Sequence, residues 1–357
     1  MNTYKNTLNI FIFALSAAVM MLAVYFVDGP KTIFHTLKEA DFLYLTLALS
    51  FVFISWIIES FALKELVSVK GLRIPFKESF HSTMTGILFN QLTPLSSGGQ
   101  PMEIYQLTQY GIPIGVGSSA MMMLLLLYHI FALAGGIAVF IYLYFYSDIS
   151  TKTMGPFLWF GFFLNFAVTF VLVAVIYSPQ ATNKRLEKFI RFLGKMHILK
   201  NPEKNVEKLE NELAAFYDSF YFMRQEGFGR VFRAGGYYLL SLIFLFGAPY
   251  FIFSALGQEI SFITVLLGIA CVSIISSYVP LPGASLGAEG GFYLVFSALL
   301  PEGTGLALVI IFWRICTFYF PIITGNLVRV FLGKKKTSPP RELNCTKTSR
   351  TAKHRRK

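Results

Sequence analysis

Charged residues are scarce in this chain, at 14% of 357 positions, and only 19 of them are acidic. A water-soluble domain of that size covers itself with about a quarter charged residues. The deficit therefore excludes an ordinary soluble enzyme. Cysteine is also rare. Cys271, Cys316 and Cys345 are the three present, two of them inside apolar stretches, so they build neither a disulfide framework nor a thiolate metal site. No glycine-rich phosphate loop, no histidine pair at metal-ligand spacing and no nucleophile with a neighbouring base occurs. His81 and His129 lie in apolar surroundings without such partners and read as structural histidines. No cofactor is expected.

Apolar sequence is abundant. The chain is 55% hydrophobic and 17% aromatic, with a mean hydropathy of +0.58, which is the composition of a protein that crosses a bilayer several times. A bilayer core takes about 20 apolar residues per helix. Uninterrupted candidates run from Leu8 to Val27, Phe42 to Leu66, Gly117 to Tyr146, Phe157 to Tyr177, Val231 to Leu256 and Leu306 to Phe331. The first has no small-residue cleavage site and reads as a retained helix. Met121 to Met123 read as packing.

Two further apolar stretches are interrupted. In the first, Asn90, Gln91, Pro94, Gly98, Gly99, Gln100, Pro101 and Glu103 bring prolines, glycines and polar groups to the middle of a hydrophobic region. Pro94 and Pro101 lack amide donors, while Gly98 and Gly99 permit backbone angles that other residues avoid. The second interruption, from Val279 to Glu289, carries Pro280, Pro282 and Gly283 and then the carboxylate. Pro94 and Pro280 are 186 residues apart, and so are Glu103 and Glu289. Interrupted backbone at membrane depth is tolerated only where protein buries it or where it lines a wet cavity. Two such breaks at matching places in two halves are the mark of a repeated, transporter-like fold with its site between the repeats.

Orientation follows the lysines and arginines. Lys64, Lys70, Arg73 and Lys77 mark one connection, a basic run from Lys184 to Arg233 another, and the tail after Gly333 a third. All three are expected on the cytoplasmic side, as are both termini. Six crossings then fit only if the segments from Ser79 to Gly111 and from Phe262 to Leu300 each enter and leave on one side, the first from the cytoplasm and the second from outside. The fold class predicted is an all-α polytopic membrane protein, with about six full spans and two broken, re-entrant segments in an inverted repeat. A transmembrane domain would occupy residues 1–332. The insertion at 178–229 reads as two amphipathic surface helices, with Leu186, Phe189, Ile190 and Leu193 on one face and Val206, Leu209, Leu213 and Phe216 on the next; whether they rest on lipid or protein stays open.

Residues 333–357 hold ten lysines and arginines against Glu342, and read as a disordered basic tail beside anionic lipid, with no nucleic-acid partner. Ionisable side chains inside a membrane are costly and are taken as functional. Glu103, Glu289 and Arg314 are the candidates, with Glu59 read as reaching toward the interface near Lys64. Glu289 and Arg314 either hold a polar lipid head group between them or form a structural ion pair. Asn90, Gln91 and Gln100 offer neutral hydrogen bonds to a head group or between helices.

Taken together, the stretches Asn90 to Pro94, Gly98 to Pro101, Pro280 to Gly283 and Gly287 to Tyr293, with Trp313, Arg314 and Tyr319, resemble the lysylphosphatidylglycerol synthase transmembrane, flippase-like family. The resemblance covers nearly the whole chain. It implies a bacterial inner-membrane protein that moves an aminoacylated phospholipid between leaflets, with membrane phospholipid as its partner. In two-part members a soluble half transfers lysine from charged tRNA; here only a short basic tail stands where that half would begin. The alternative implied is a phosphatidylglycerol lysyltransferase-type enzyme or a membrane subunit that presents lipid to a separate synthase, and homo-oligomerisation is left open. Many members carry a carboxylate after the paired glycines and an arginine soon after, where this chain has Gln100 and Glu103. As substrate-contacting residues the resemblance points to both breaks together with Glu289, Arg314 and Tyr319.

Overall fold

The computed structural model describes residues 38–69, 72–146, 151–195, 206, 210, 213–214, 216–221, 229–276, 287–300 and 305–333. The expected first span, the basic tail, and Pro282 and Gly283 of the second break lie outside the described residues. Those that are described form helices and connections, without strands. The protein is an all-α polytopic membrane protein.

Five described helices are long and apolar enough to cross a bilayer: Phe42–Val67, Ile114–Val139, Trp159–Tyr177, Gly229–Ala255 and Leu306–Leu332. We name α1 (Phe42–Val67), α2 (Phe76–Leu92), α3 (Gly99–Gln109), α4 (Ile114–Tyr146), α5 (Thr151–Tyr177), α6 (Pro179–Lys195), α7 (Gly229–Ala255), α8 (Phe262–Ser276), α9 (Gly287–Leu299), α10 (Leu306–Arg314) and α11 (Phe320–Leu332). A five-residue π-helical segment, Ile315–Tyr319, joins α10 to α11. In α1, no proline or glycine interrupts 26 residues. Its hydroxyls return to its own backbone, as when Thr46 donates to the Phe42 carbonyl and Ser60 to that of Trp56, so these hydroxyls are not stranded in lipid.

α1 and α7 are neighbours along their whole lengths and run antiparallel. At one end the Asp41 amide donates to the Ala255 carbonyl over 2.9 Å, and Asp41 caps α1 by accepting from the Leu43 amide. At the other end Arg233 pairs with Glu65 over 3.0 Å. Between them, Phe51 packs on Phe244 and Phe61 on Tyr237.

The element order then repeats. α1, α2, α3 and α4 are matched by α7, α8, α9 and the α10–α11 span. α2 and α8 begin at Phe76 and Phe262, and the two repeats end at Tyr146 and Leu332; both separations are 186 residues. Equivalent first helices that lie antiparallel make the repeat an inverted one. The short helices pair off as two hairpins, α2 with α3 and α8 with α9. The first begins beside the C-terminal end of α1, where Phe61 stacks on Phe76 and the Ser79 hydroxyl donates to the Ser60 carbonyl. The second begins beside the C-terminal end of α7, where Tyr250 meets Phe262. Because α1 and α7 point opposite ways, the hairpins enter the bundle from opposite ends.

Each end has its own apolar core. Leu63, Leu66, Leu107, Ile112, Val116 and Ala234 close the first. The second gathers Ile252, Phe253, Phe292, Phe296, Val309 and Trp313, with ring centroids 4.4 Å apart for Phe292 and Phe296 and 4.8 Å for Phe292 and Trp313. α11 lies on α2 because Gly325 has no side chain: a Cβ there would stand 2.9 Å from the Leu88 Cβ. Of the surface insertion, α6 is helical as expected. In the following stretch the Tyr217 hydroxyl donates to the Val175 carbonyl of α5 over 3.0 Å, so that part rests on protein.

Candidate functional site

α2 stops at Leu92, two residues before Pro94, and α3 starts at Gly99. Pro101 does not break this helix. It stands in the first turn of α3, where a missing amide hydrogen costs nothing. The left-handed residues of the break are not the glycines but Leu95, at φ 55°, and Ser96, at φ 50°. Two consecutive turns hold them, the Ser96 amide donating to the Thr93 carbonyl and the Ser97 amide to that of Pro94. Gly98 has an ordinary helical φ of −85°.

What the paired glycines provide is room. The Gly98 amide donates to the Thr93 hydroxyl over 2.8 Å and the Gly99 amide to Asn90 Oδ1 over 3.0 Å. A Cβ on Gly99 would collide with the Asn90 side-chain amide. Two of the unsatisfied donors at the α3 N-terminus are thus capped by side chains from the end of α2. Of the two roles expected for Asn90, its carbonyl oxygen takes the hydrogen bond between helices. Gln91 is half-buried beside it, Pro94 is exposed, and Gln100 points out from the first turn of α3 and is exposed.

Glu103 is buried at 9% exposure, with its carboxylate against the backbone of Gly86 in α2. Glu59 of α1 lies on the same face as the buried Ser55, Ser60 and Leu63, and the Ser60 carbonyl meets the Ser79 hydroxyl of α2, on the face of α2 that carries Thr83 and Gly86. Glu59 therefore turns inward. The expectation that it reaches the interface near Lys64 fails because the inward face of α1 meets Ser79 of α2 at that level.

In the second half, Glu289 lies in the first turn of α9, where the helix dipole favours a carboxylate. Its Oε1 is 2.7 Å from Nε of Arg314, the last residue of α10. The arginine side chain is 6% exposed and the glutamate 25%, so the pair is reached from the carboxylate side. The guanidinium carbon sits 5.0 Å from the Trp313 ring centroid and 5.8 Å from that of Phe318, contacts that hold a planar cation in apolar surroundings. Arg314 is eight residues beyond Leu306, a rise of roughly 12 Å, near the middle of a core some 30 Å thick.

Arg314 also caps the π-helical segment, in which the Phe320 amide returns to the Ile315 carbonyl five residues back. Pro321 explains this widening, since it offers no amide to the Thr317 carbonyl and its ring presses on that turn. Such segments recur at functional sites. Tyr319, half-buried, is the last residue of the segment. The structure thus brings Glu289 and Arg314 into contact and sets Tyr319 five residues on in the same span.

The sequence matches the family described as "Lysylphosphatidylglycerol synthase TM region" over residues 9–325. This chain belongs to that family. It is similar to a UPF0104 membrane protein of Archaeoglobus fulgidus, 24% identical over 323 residues, covering 87% of this chain and 93% of the relative. A UPF0104 membrane protein of Methanothermobacter thermautotrophicus is 25% identical over 325 residues, with the same coverage. The family match ends within α11 and so includes both hairpins, both glutamates and Arg314.

Within this lysylphosphatidylglycerol synthase transmembrane family member, the 186-residue repeat lines up the two half-sites. Glu103 corresponds to Glu289, and Tyr128 corresponds to Arg314. Two features were missed by sequence reasoning. The first is the inward direction of Glu59; its place four residues after Ser55, on the face of α1 turned to the bundle, was the available signal. The second is the π-helical segment, signalled by a proline set within the last apolar span. His81 places its Nδ1 2.6 Å from the Tyr110 hydroxyl.

Proposed function

We propose that this protein moves a polar-headed phospholipid between membrane leaflets, with the head group passing the Glu289–Arg314 pair while the acyl chains stay in lipid. The observation that carries the reading is a buried, mid-depth ion pair, open on its carboxylate side, at the tip of a half-helix inside an inverted repeat. A guanidinium released from Glu289 is a bidentate donor for a lipid phosphate. Glu289, once released, accepts from an ammonium. An aminoacylated phospholipid carries both groups, which suits the family to which the chain belongs. Gln100 and Gln91 supply neutral hydrogen bonds at the first break, and Leu95 and Ser96 place strained backbone there, as switching segments do. Presentation of lipid to a separate synthase is the competing reading.

Reconstitution tests it. Liposomes with head-group-labelled lipids should show leaflet exchange that depends on the protein and is fastest for anionic or aminoacylated lipid. Exchange equal to that of protein-free liposomes for every head group, together with normal product formation by a synthase supplied in trans, would favour the presenting subunit.

For orientation, we infer from the lysine and arginine bias that the Lys64 and Arg233 ends of α1 and α7 face the cytoplasm of a bacterial cell, with both termini on that side. Single cysteines placed at Ser150 and Gln258 should then react with an impermeant reagent on intact cells, whereas one at Lys195 should react only after lysis. Labelling of Lys195→Cys on intact cells, with Gln258→Cys protected, reverses this assignment.

A further inference from the structure

The two half-sites share a carboxylate but not its partner. At the second, Glu289 holds a cation carried by the chain itself, Arg314. At the first, the equivalent glutamate is buried and the equivalent of Arg314 is Tyr128. A second carboxyl is added instead, from Glu59, whose counterpart 186 residues on is Leu245. Both face α2 on one side: Ser60, next to Glu59, meets Ser79, and the Glu103 carboxylate lies against Gly86, two turns further along that face. Among the described residues neither has a lysine or arginine partner. Thr83, buried at 1% exposure on that face of α2, has a hydroxyl without a hydrogen-bond partner. Glu103 is buried and Glu59 half-buried; two carboxyls close together at membrane depth are costly to charge both at once without a cation between them. One half of the repeat contains that cation; the other must take it from solution.

We propose that Glu59 and Glu103 form a proton-binding site, the first half's equivalent of the Glu289–Arg314 pair, and that its loading and release couple proton flow to lipid movement. The coupling rests on the translocation reading above, whereas proton binding does not. A proton fits these groups better than a metal ion, because two carboxyls can share one proton, whereas no group of three or more metal-ligating side chains occurs among the described residues. The other ionisable neighbours are turned elsewhere. His81 of α2 is engaged by Tyr110 and faces Arg329 of α11, and Glu65 and Lys64 belong to the exposed end of α1, where Glu65 pairs with Arg233.

With the proton shared, the site is neutral enough to sit in a closed, apolar surrounding. Without it, the pair repels and the α2–α3 hairpin is pushed from α1. The proton arrives from water, passes to a carboxylate oxygen and leaves by the same bond, so no other reactant is consumed.

Infrared spectra of the full-length protein in lipid nanodiscs, recorded through a pH titration at constant sodium, read the site directly. The wild type should show a protonated-carboxyl band that fades with rising pH. Glu59→Gln and Glu103→Gln should each lose it, and Glu289→Gln should keep it. Tyr128→Arg, which installs the guanidinium that the second half has, should also abolish the band while the protein folds. A titration that is unchanged in both glutamine variants overturns the site, and so does a band that follows sodium at fixed pH. In liposomes, an imposed proton gradient should accelerate exchange by the wild type and not by Glu59→Gln. Wild-type exchange that ignores the gradient removes the coupling. Absence of any wild-type exchange removes the translocation reading, and the infrared result still decides the proton site.

Discussion

Glu289→Gln and Arg314→Gln, made singly, should each lower the amount of folded protein and stop lipid exchange. Removal of Glu289 takes the paired carboxylate from a guanidinium at 6% exposure beside Trp313 and Phe318; breaking a buried pair in this way costs about 3–5 kcal/mol. Removal of Arg314 leaves a carboxylate at the α9 N-terminus, where the helix dipole and 25% exposure soften the loss. Arg314→Gln should therefore be the more abundant of the two. The double variant Glu289→Gln with Arg314→Gln strands nothing and should recover abundance. If the pair is the head-group site, exchange stays absent in the double variant. A pair that only fixes helix register predicts restored exchange along with restored protein. A lipid-presenting subunit predicts wild-type exchange in all three, with loss only of the lipid product made by a partner enzyme. Immunoblotting, exchange rate and lipid composition on the same membranes separate the three results.

That the two halves could be recognised at all comes from spacing that the bilayer enforces. A span must be about 20 residues and a half-span about half that, so two repeats that meet the same bilayer keep the same register, and Pro94 with Pro280 preserved it. The long helices were readable because α1, α4, α5, α7 and the last span are apolar on every side, a composition that water-soluble helices do not have. The inversion was legible from charge, and the Asp41–Ala255 and Glu65–Arg233 contacts at opposite ends of α1 and α7 supply its geometric counterpart.

What the sequence concealed is what side chains do across helices. Glu59 is 44 residues from Glu103, and nothing in local periodicity says that α1 turns it toward α3. The glycines were misread for a related reason. A glycine pair in a turn suggests left-handed backbone, yet that strain falls on Leu95 and Ser96, and the need for Gly98 and Gly99 comes from Thr93 and Asn90, which approach from the preceding helix. The π-helical segment depends on how Pro321 is accommodated once the span is packed.

Gly99→Leu should abolish exchange, and comparison with Asn90→Ala shows why. A side chain on Gly99 displaces the Asn90 amide and with it the cap that the Gly99 N–H uses. Loss of the cap costs about 1 kcal/mol, and crowding at the hairpin tip adds about 1–3 kcal/mol. The loss falls on a hairpin rather than on a full span. Much of the protein should still reach the membrane, and the damage should fall on the placement of Glu103, one turn further along α3. Asn90→Ala removes the same cap without the collision, so it should lower stability by about 1 kcal/mol and slow exchange only in part. Asn90→Asp keeps an acceptor for the Gly99 amide and should restore stability. If Asn90 instead bound the head group directly, Asn90→Ala would stop exchange with no change in thermal unfolding, and Asn90→Asp would not rescue it. Full exchange by Gly99→Leu would mean that the hairpin tip is an exposed loop with no part in the lipid path.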